Sequence, residues 1–235
     1  GRFAGFGNLA FAIISMSAIV FVAMVKELAT TNSKWNIKKI NVWLIVFLIV
    51  VLIFDGAPYL GSDVGGVLAL TPTIFVVGLM LYNKKISFKA LLVSAFVTIA
   101  TITTFAFIDL ARPEEERTHL GRFASSLVKG EAGTVIERKL NANLSILTSS
   151  VWAVAVIFAL LYLSFLFLHP EKFLQRTSSK HPGFKFLAYP GMVLGVLGMV
   201  LNDSGVAIPG MMLAVALPVV TLLSLGVADE DFADV

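Results

Sequence analysis

Aspartate, arginine and asparagine fall in four groups along this chain, and their types point to recognition of charge. Asp55 and Asp63 bracket a Gly- and Pro-rich turn, DGAPYLGSDVGG. Asp109 is followed by Arg112, Arg117, His119 and Arg122. Arg138 and Lys139 precede Asn143, and Asn202-Asp203-Ser204 makes a second polar turn. Arg2 and Asn8 stand near the start of the chain, at what should be the same level. A guanidinium fork grips phosphate or carboxylate through paired N–H groups, and Gly-rich turns expose backbone amides that do the same. An anionic ligand is therefore the chemistry these groups suit best. The aspartates could orient the arginines, hold a cation or act as a general base. The ligand-binding set is then Arg117, His119, Arg122, Arg138, Asn143, Asp55, Asp63, Asp109, Asn202 and Asp203, with Arg117, Arg122 and Asp203 foremost. A plainer reading stands beside it for every member: Asp–Arg pairs at helix ends often only neutralise each other and fix loops.

Other chemistries are excluded or weak. The chain has no cysteine, so disulfides, thiolate nucleophiles and Cys-ligated metals are out. His119 lacks a nearby second His or Cys for a zinc site. His169 and His181 fall in a basic loop and are expected to be solvated. There is no Walker loop and no GxGxxG, and the last apolar run has no Lys for a retinal Schiff base. No metal and no cofactor are expected, and no catalytic residue can be assigned. Asn143-Leu-Ser and Asn202-Asp-Ser match the glycosylation pattern, which is short and frequent by chance. Gly191-x-x-x-Gly195 favours close helix packing.

The polar groups are rare because the elements that carry them are apolar. The 235 residues are 57% hydrophobic and only 14% charged, with a mean hydropathy of +0.89. A soluble domain is roughly a quarter charged. Long uncharged runs lie at about 6–25, 40–58, 64–82, 88–111, 150–168, 186–202 and 206–227. Roughly 20 residues of helix cross a hydrocarbon core of about 30 Å, so the fold class is all-α, a polytopic transmembrane bundle of about seven helices. Alternating ten-residue strands, the mark of a β-barrel, are absent. Between the fourth and fifth runs, 112–149 repeats Leu120, Phe123 and Leu127 at helical spacing. It reads as an extracytoplasmic amphipathic helical segment, lying on the interface or capping the helix ends.

Lysine and arginine orient the chain. The loops after the first, third and fifth runs hold Lys26, Lys34, Lys38 and Lys39; Lys84, Lys85 and Lys89; and Lys172, Arg176, Lys180 and Lys185. The turns after the second and sixth runs hold none. By the positive-inside rule the N-terminus is outside, the C-terminus is cytoplasmic, and all four polar groups share the outer face. The basic residues of 112–149 are accompanied by Glu114–Glu116, Glu131 and Glu137. Trp43 and Trp152 lie near helix ends, as interfacial aromatics do. A net charge of +3 and a pI near 9.2 would suit nucleic acid. The basic residues instead sit in short loops between apolar runs, so membrane lipids and not nucleic acid are the expected partners.

The strings GRFAGFGNLAF at 1–11, DGAP…GSDVGG at 55–66, RTHLGRF at 117–123 and NDSG at 202–205 resemble an uncharacterised family of bacterial polytopic membrane proteins, frequent in actinobacteria. Its longer members resemble proteins with an extracytoplasmic alkaline-phosphatase-like domain ahead of the membrane helices. The resemblance implies an inner-membrane location and an upstream domain, for which the chain would be the membrane half; the missing initial Met agrees with more protein upstream. It carries over no catalytic residue. The leading functional expectation is a cell-envelope module that binds or presents an anionic, possibly lipid-linked substrate at the outer leaflet. Two alternatives remain: a transporter or flippase, and a structural subunit of a larger membrane complex.

The topology has a direct test, because native thiols are absent. Single cysteines at Ser62 and Thr118 should react with an impermeant maleimide added outside, and one at Ser87 should not. Labelling at Ser87 with protection at Ser62 reverses the orientation.

Overall fold

A computed structural model describes residues 6–31, 34–118, 120–122, 133, 137, 141, 144–146, 148–168 and 173–233. Every regular element among these is helical. In chain order they are α1 (Asn8–Thr31), α2 (Ile37–Gly56), α3 (Val64–Leu81), α4 (Phe88–Leu110), a 3-10 turn (Glu114–Glu116), α5 (Val151–Leu168), α6 (Phe173–Lys180), α7 (Phe184–Leu201) and α8 (Ala207–Ala233). Six of them, α1 to α4, α7 and α8, are long and apolar enough to cross a membrane. The chain is a multi-pass membrane protein.

The helices begin where side chains satisfy the open amides of a first turn. Asn36 accepts from the Lys39 N–H, Asp63 from that of Gly66, and Ser87 from that of Ala90. These caps shift the ends away from those that hydropathy suggests. The second helix starts three residues before its apolar run and takes Lys38 and Lys39 into its first turn. At its far end the helix stops at Gly56, two residues before the end of the apolar run, with Asp55 in its last turn. The basic loop at 169–185 contains the short helix α6, which the apolar pattern could not register. Most of the surface-helix expectation for 112–149 falls on residues outside the described set.

The bundle is centred on α3, which packs against α2, α4 and α7, while α1 packs against α7 and α8. The remaining helices α5 and α6 lie on α8. Phe11, Ile19, Leu48, Leu70, Leu187, Leu194 and Ile208 are fully enclosed at the centre. Outward, the pattern reverses that of a soluble protein: Phe88, Phe96, Trp43 and Leu222 are exposed, as lipid-facing residues should be. Trp152 does not stand free at the interface, because its ring lies over Gly210 of α8. An open groove of about 710 Å³ lies between parts of α2, α3 and α4, lined by Ile49, Ile74, Phe75, Thr71, Thr104 and Phe105. Proline interrupts the amide ladder in α3 at Pro72 and in α7 at Pro190.

Small residues set the close contacts. Gly191 faces Met16 of α1, and Gly198 faces Ile208 of α8. A methyl group at Gly198 would stand 2.8 Å from Ile208 Cγ2, but at Gly195 the nearest atom would be 3.8 Å away. Gly198→Ala should therefore cost about 1–3 kcal/mol through overpacking, seen as a lower melting temperature in detergent. Gly195→Ala should melt with the parent.

Candidate functional site

One end of the bundle gathers the start of α1, the ends of α2, α4 and α7, and the starts of α3 and α8. The turn between α2 and α3 folds back on itself. Gly61 N–H donates to Phe54 C=O at 2.8 Å, Asp63 N–H to Asp55 C=O at 3.0 Å, and Ser62 takes a positive φ of 53°. Phe6 N–H donates to Gly61 C=O at 2.7 Å and ties the chain start to this turn.

Two polar clusters form at this end. In the first, Asp109 in the last turn of α4 is fully buried. Its carboxylate accepts from Thr118 N–H (3.0 Å to Oδ2), Thr118 Oγ1 (2.6 Å), Gly121 N–H (2.7 Å) and Arg112 Nη1 (3.3 Å). Every donor is internal, so Asp109 clasps the segment after α4 onto that helix. Arg112 is equally committed: it also donates to Pro58 C=O at 3.2 Å, lies 4.5 Å over the Tyr59 ring, and reaches Glu116 at 3.7 Å. The clasp thereby joins the α2–α3 turn. Arg117, half-buried, donates from Nε to the Arg112 carbonyl at 3.2 Å. Arg122 is exposed one turn further on. Neither Arg117 nor Arg122 has a carboxylate partner among the described residues.

The second cluster surrounds the first turn of α3. Asp55 and Asn202, from the ends of α2 and α7, are buried against it. The Asp55 carboxylate lies over Gly66, and the Asn202 amide lies over Gly65. Any Cβ at either glycine would collide with these side chains. Asp63 caps the same turn, its Oδ1 accepting from Gly66 N–H at 3.0 Å. On the rim, Asn8 Nδ2 donates to Asp203 Oδ1 and, at 2.6 Å, to Ser204 Oγ, which ties α1 to the α7–α8 turn. Asp203 is exposed. Of the residues singled out in the sequence, the structure thus groups Asp55, Asp63 and Asn202, puts Asp203 beside them, and gathers Asp109, Arg117 and Arg122 on the clasp. His119, Arg138 and Asn143 lie outside the described residues.

Sequence reasoning missed the receiving partners. Thr118 and Gly121 supply most of the donors to Asp109, and Pro58 and Tyr59 hold Arg112. Thr118, Gly121 and Arg122 all belong to the RTHLGRF string, whose compactness was the one available signal. At the opposite end a buried Lys26 donates to Asn41 Oδ1 at 3.2 Å, and Asn41 Nδ2 donates to Leu81 C=O at 2.8 Å. Lys26 also sits 5.4 Å from the Phe186 ring centroid. His181, expected to be solvated, instead contacts Glu27 at 3.0 Å, and Gly183 N–H donates to the other Glu27 oxygen at 2.8 Å. The long α1 reaches past its apolar run and meets the α6–α7 loop there; His169 lies outside the described residues. No cluster of three His, Cys, Asp or Glu suited to a metal occurs among the described residues.

No family model matches the chain, and no curated protein or solved structure matches it either.

The clasp makes a clear forecast. Asp109→Ala leaves the Thr118 and Gly121 amides and Arg112 without their acceptor, at a cost on the order of 3 kcal/mol. Tryptic cleavage after Arg117 and Arg122 should then accelerate severalfold. Glu116→Gln, which alters only an exposed ion pair, should leave the cleavage rate unchanged.

Proposed function

We propose that this chain is the membrane module of a cell-envelope protein that holds an anionic, lipid-linked group at the outer leaflet of a bacterial inner membrane. The observation that carries the reading is the division of labour among the arginines. Arg112 is consumed by Asp109, Glu116 and the Pro58 carbonyl, whereas Arg117 and Arg122 have no carboxylate partner among the described residues. Both ride on a segment that Asp109 fixes to the bundle end. Fixed cations at a helix end next to the headgroup region suit a phosphate or carboxylate. Asp203 and Asn8 on the same rim would orient the polar part of such a ligand.

The proposed topology has seven crossings, with the N-terminus outside and the C-terminus inside. The chain is clasped at the polar end at Gly121 and reaches the other end by Thr177, whose Oγ1 donates to Ser224 at 3.3 Å. The long described helix between these points is α5. Trp152 lies over Gly210 near the start of α8, and Tyr162 Oη lies 3.0 Å from Thr221 Oγ1 further along it. A parallel run of α5 and α8 through the membrane accounts for both contacts. Lys34, Lys38, Lys39, Lys84, Lys85 and Lys89 then fall on the cytoplasmic side. An upstream extracytoplasmic domain of the alkaline-phosphatase-like kind would receive the held group.

The transporter reading keeps one supporting observation, the buried Asp55 beside a Gly-rich helix break. It requires substrate-dependent flux in vesicles of the purified chain.

Native mass spectrometry of the gently solubilised protein tests the anion site. The parent and a Lys89→Ala control, altered at the opposite end, should retain an anionic lipid that Arg117→Ala/Arg122→Ala loses. Equal retention in all three removes the proposal.

A further inference from the structure

The two buried carboxylates at the polar end are treated in opposite ways. Asp109 receives two backbone amides, a hydroxyl and a guanidinium. Asp55 is 1% exposed, and neither of its carboxylate oxygens has a hydrogen-bond partner among the described residues. No Lys, Arg or His forms an ion pair with it there. Asp63 brings a second acidic side chain to the same glycine, Gly66, that Asp55 covers. An independent element points to the same place. Asn202 arrives from the α7–α8 turn, is 3% exposed, and rests on Gly65 with its amide oxygen, the atom able to ligate a cation, nearest the glycine.

We propose that Asp55, Asp63 and Asn202 form a binding site for one small monovalent cation, of the size and charge of sodium, at the first turn of α3. Uncompensated charge inside a membrane bundle is costly, and such groups pair, hydrate or bind an ion. The positive end of the α3 dipole lies at the same turn, and the single Asp55 carboxylate, without an ion pair among the described residues, is matched by one positive charge. The ligand types are hard oxygens, two carboxylates and an amide, which suit alkali and not thiophilic ions. No third acidic side chain joins them among the described residues, which argues against a calcium-type cage, since that draws on more carboxylates. The site joins the α2–α3 and α7–α8 turns, so an ion there would hold the two hairpins together. The inference is independent of the anion rim, because Arg117 and Arg122 take no part in it.

The experiment is thermal melting of the full purified chain in detergent, titrated with sodium chloride at constant ionic strength against N-methylglucamine chloride. A ligand that binds the folded state raises the melting temperature with its concentration. The parent should show that rise, and Asp55→Asn should lose it. Asp55→Asn keeps the side-chain shape and removes the unpaired charge, so it should fold at least as well as the parent without sodium. Asn202→Ala should need more sodium for the same shift, and Asp203→Asn, exposed on the same turn, should keep the full shift. A parent indifferent to sodium, or an equal shift in Asp55→Asn, overturns the proposal. A melting temperature that follows pH and ignores sodium also overturns it and assigns the position to a proton.

Discussion

The first turn of α3 carries no side chain on the face that two other helices approach, and the polar end of the bundle depends on that bare surface. With a Cβ at Gly65 or Gly66, the Asn202 amide or the Asp55 carboxylate would be displaced. The ends of α2 and α7 could not then close on α3. Because α3 is also the helix with the broadest packing, this approach sets the spacing of the hairpins above the core. Asp63 does two jobs at the same point: it starts the helix by capping Gly66 and it adds acidic character to the space between the hairpins.

Hydrocarbon offers no hydrogen bonds, so every polar group at membrane depth must be answered from within the protein. The two ends of the bundle answer in different currencies. At one, Asp109 collects backbone amides and an arginine, and Asp63 accepts from the Gly66 amide. At the other, Lys26 reaches an asparagine that in turn caps the last turn of α3 through Leu81, and Glu27 staples α1 to the start of α7. In both cases a single long helix is tied at its ends to neighbours distant in sequence. Along the middle, packing of small and branched residues does the holding, as Gly198 against Ile208 illustrates.

That the chain is a multi-pass helical bundle is legible in its uncharged runs, since membrane crossing depends on local composition alone. Helix ends are less legible, because a cap is a matter of one side chain reaching one amide. Hydropathy carries the second run to 58, yet the helix ends at Gly56, where the turn folds back on its last carbonyls. His181 reads as a solvated loop residue because nothing in its vicinity predicts Glu27, which lies far upstream and whose helix outruns its apolar segment. The convergence of Asp55, Asp63 and Asn202 follows in outline from alternation of the crossings. The contrast between a saturated Asp109 and an Asp55 without a hydrogen-bond partner among the described residues has no counterpart in spacing or composition. Both are single acids near the end of an apolar run, and only the way the following segment folds its Thr118 and Gly121 amides back onto Asp109 tells them apart.

The groove between α2, α3 and α4 bears on mechanics. The helix α4 has its main packing partner in α3, and this space of about 710 Å³ runs beside the two. At the polar end α4 is anchored through Asp109 to the segment that follows it, and through Arg112 to the α2–α3 turn. A rod held firmly at one end and bordered by an open groove along part of its shaft resists sliding more than it resists tilting. Lateral pressure in the surrounding lipid, which varies with acyl-chain length and curvature, acts on that softest coordinate. The clasp is then a fulcrum, and bilayer thickness is a load on the lever it supports.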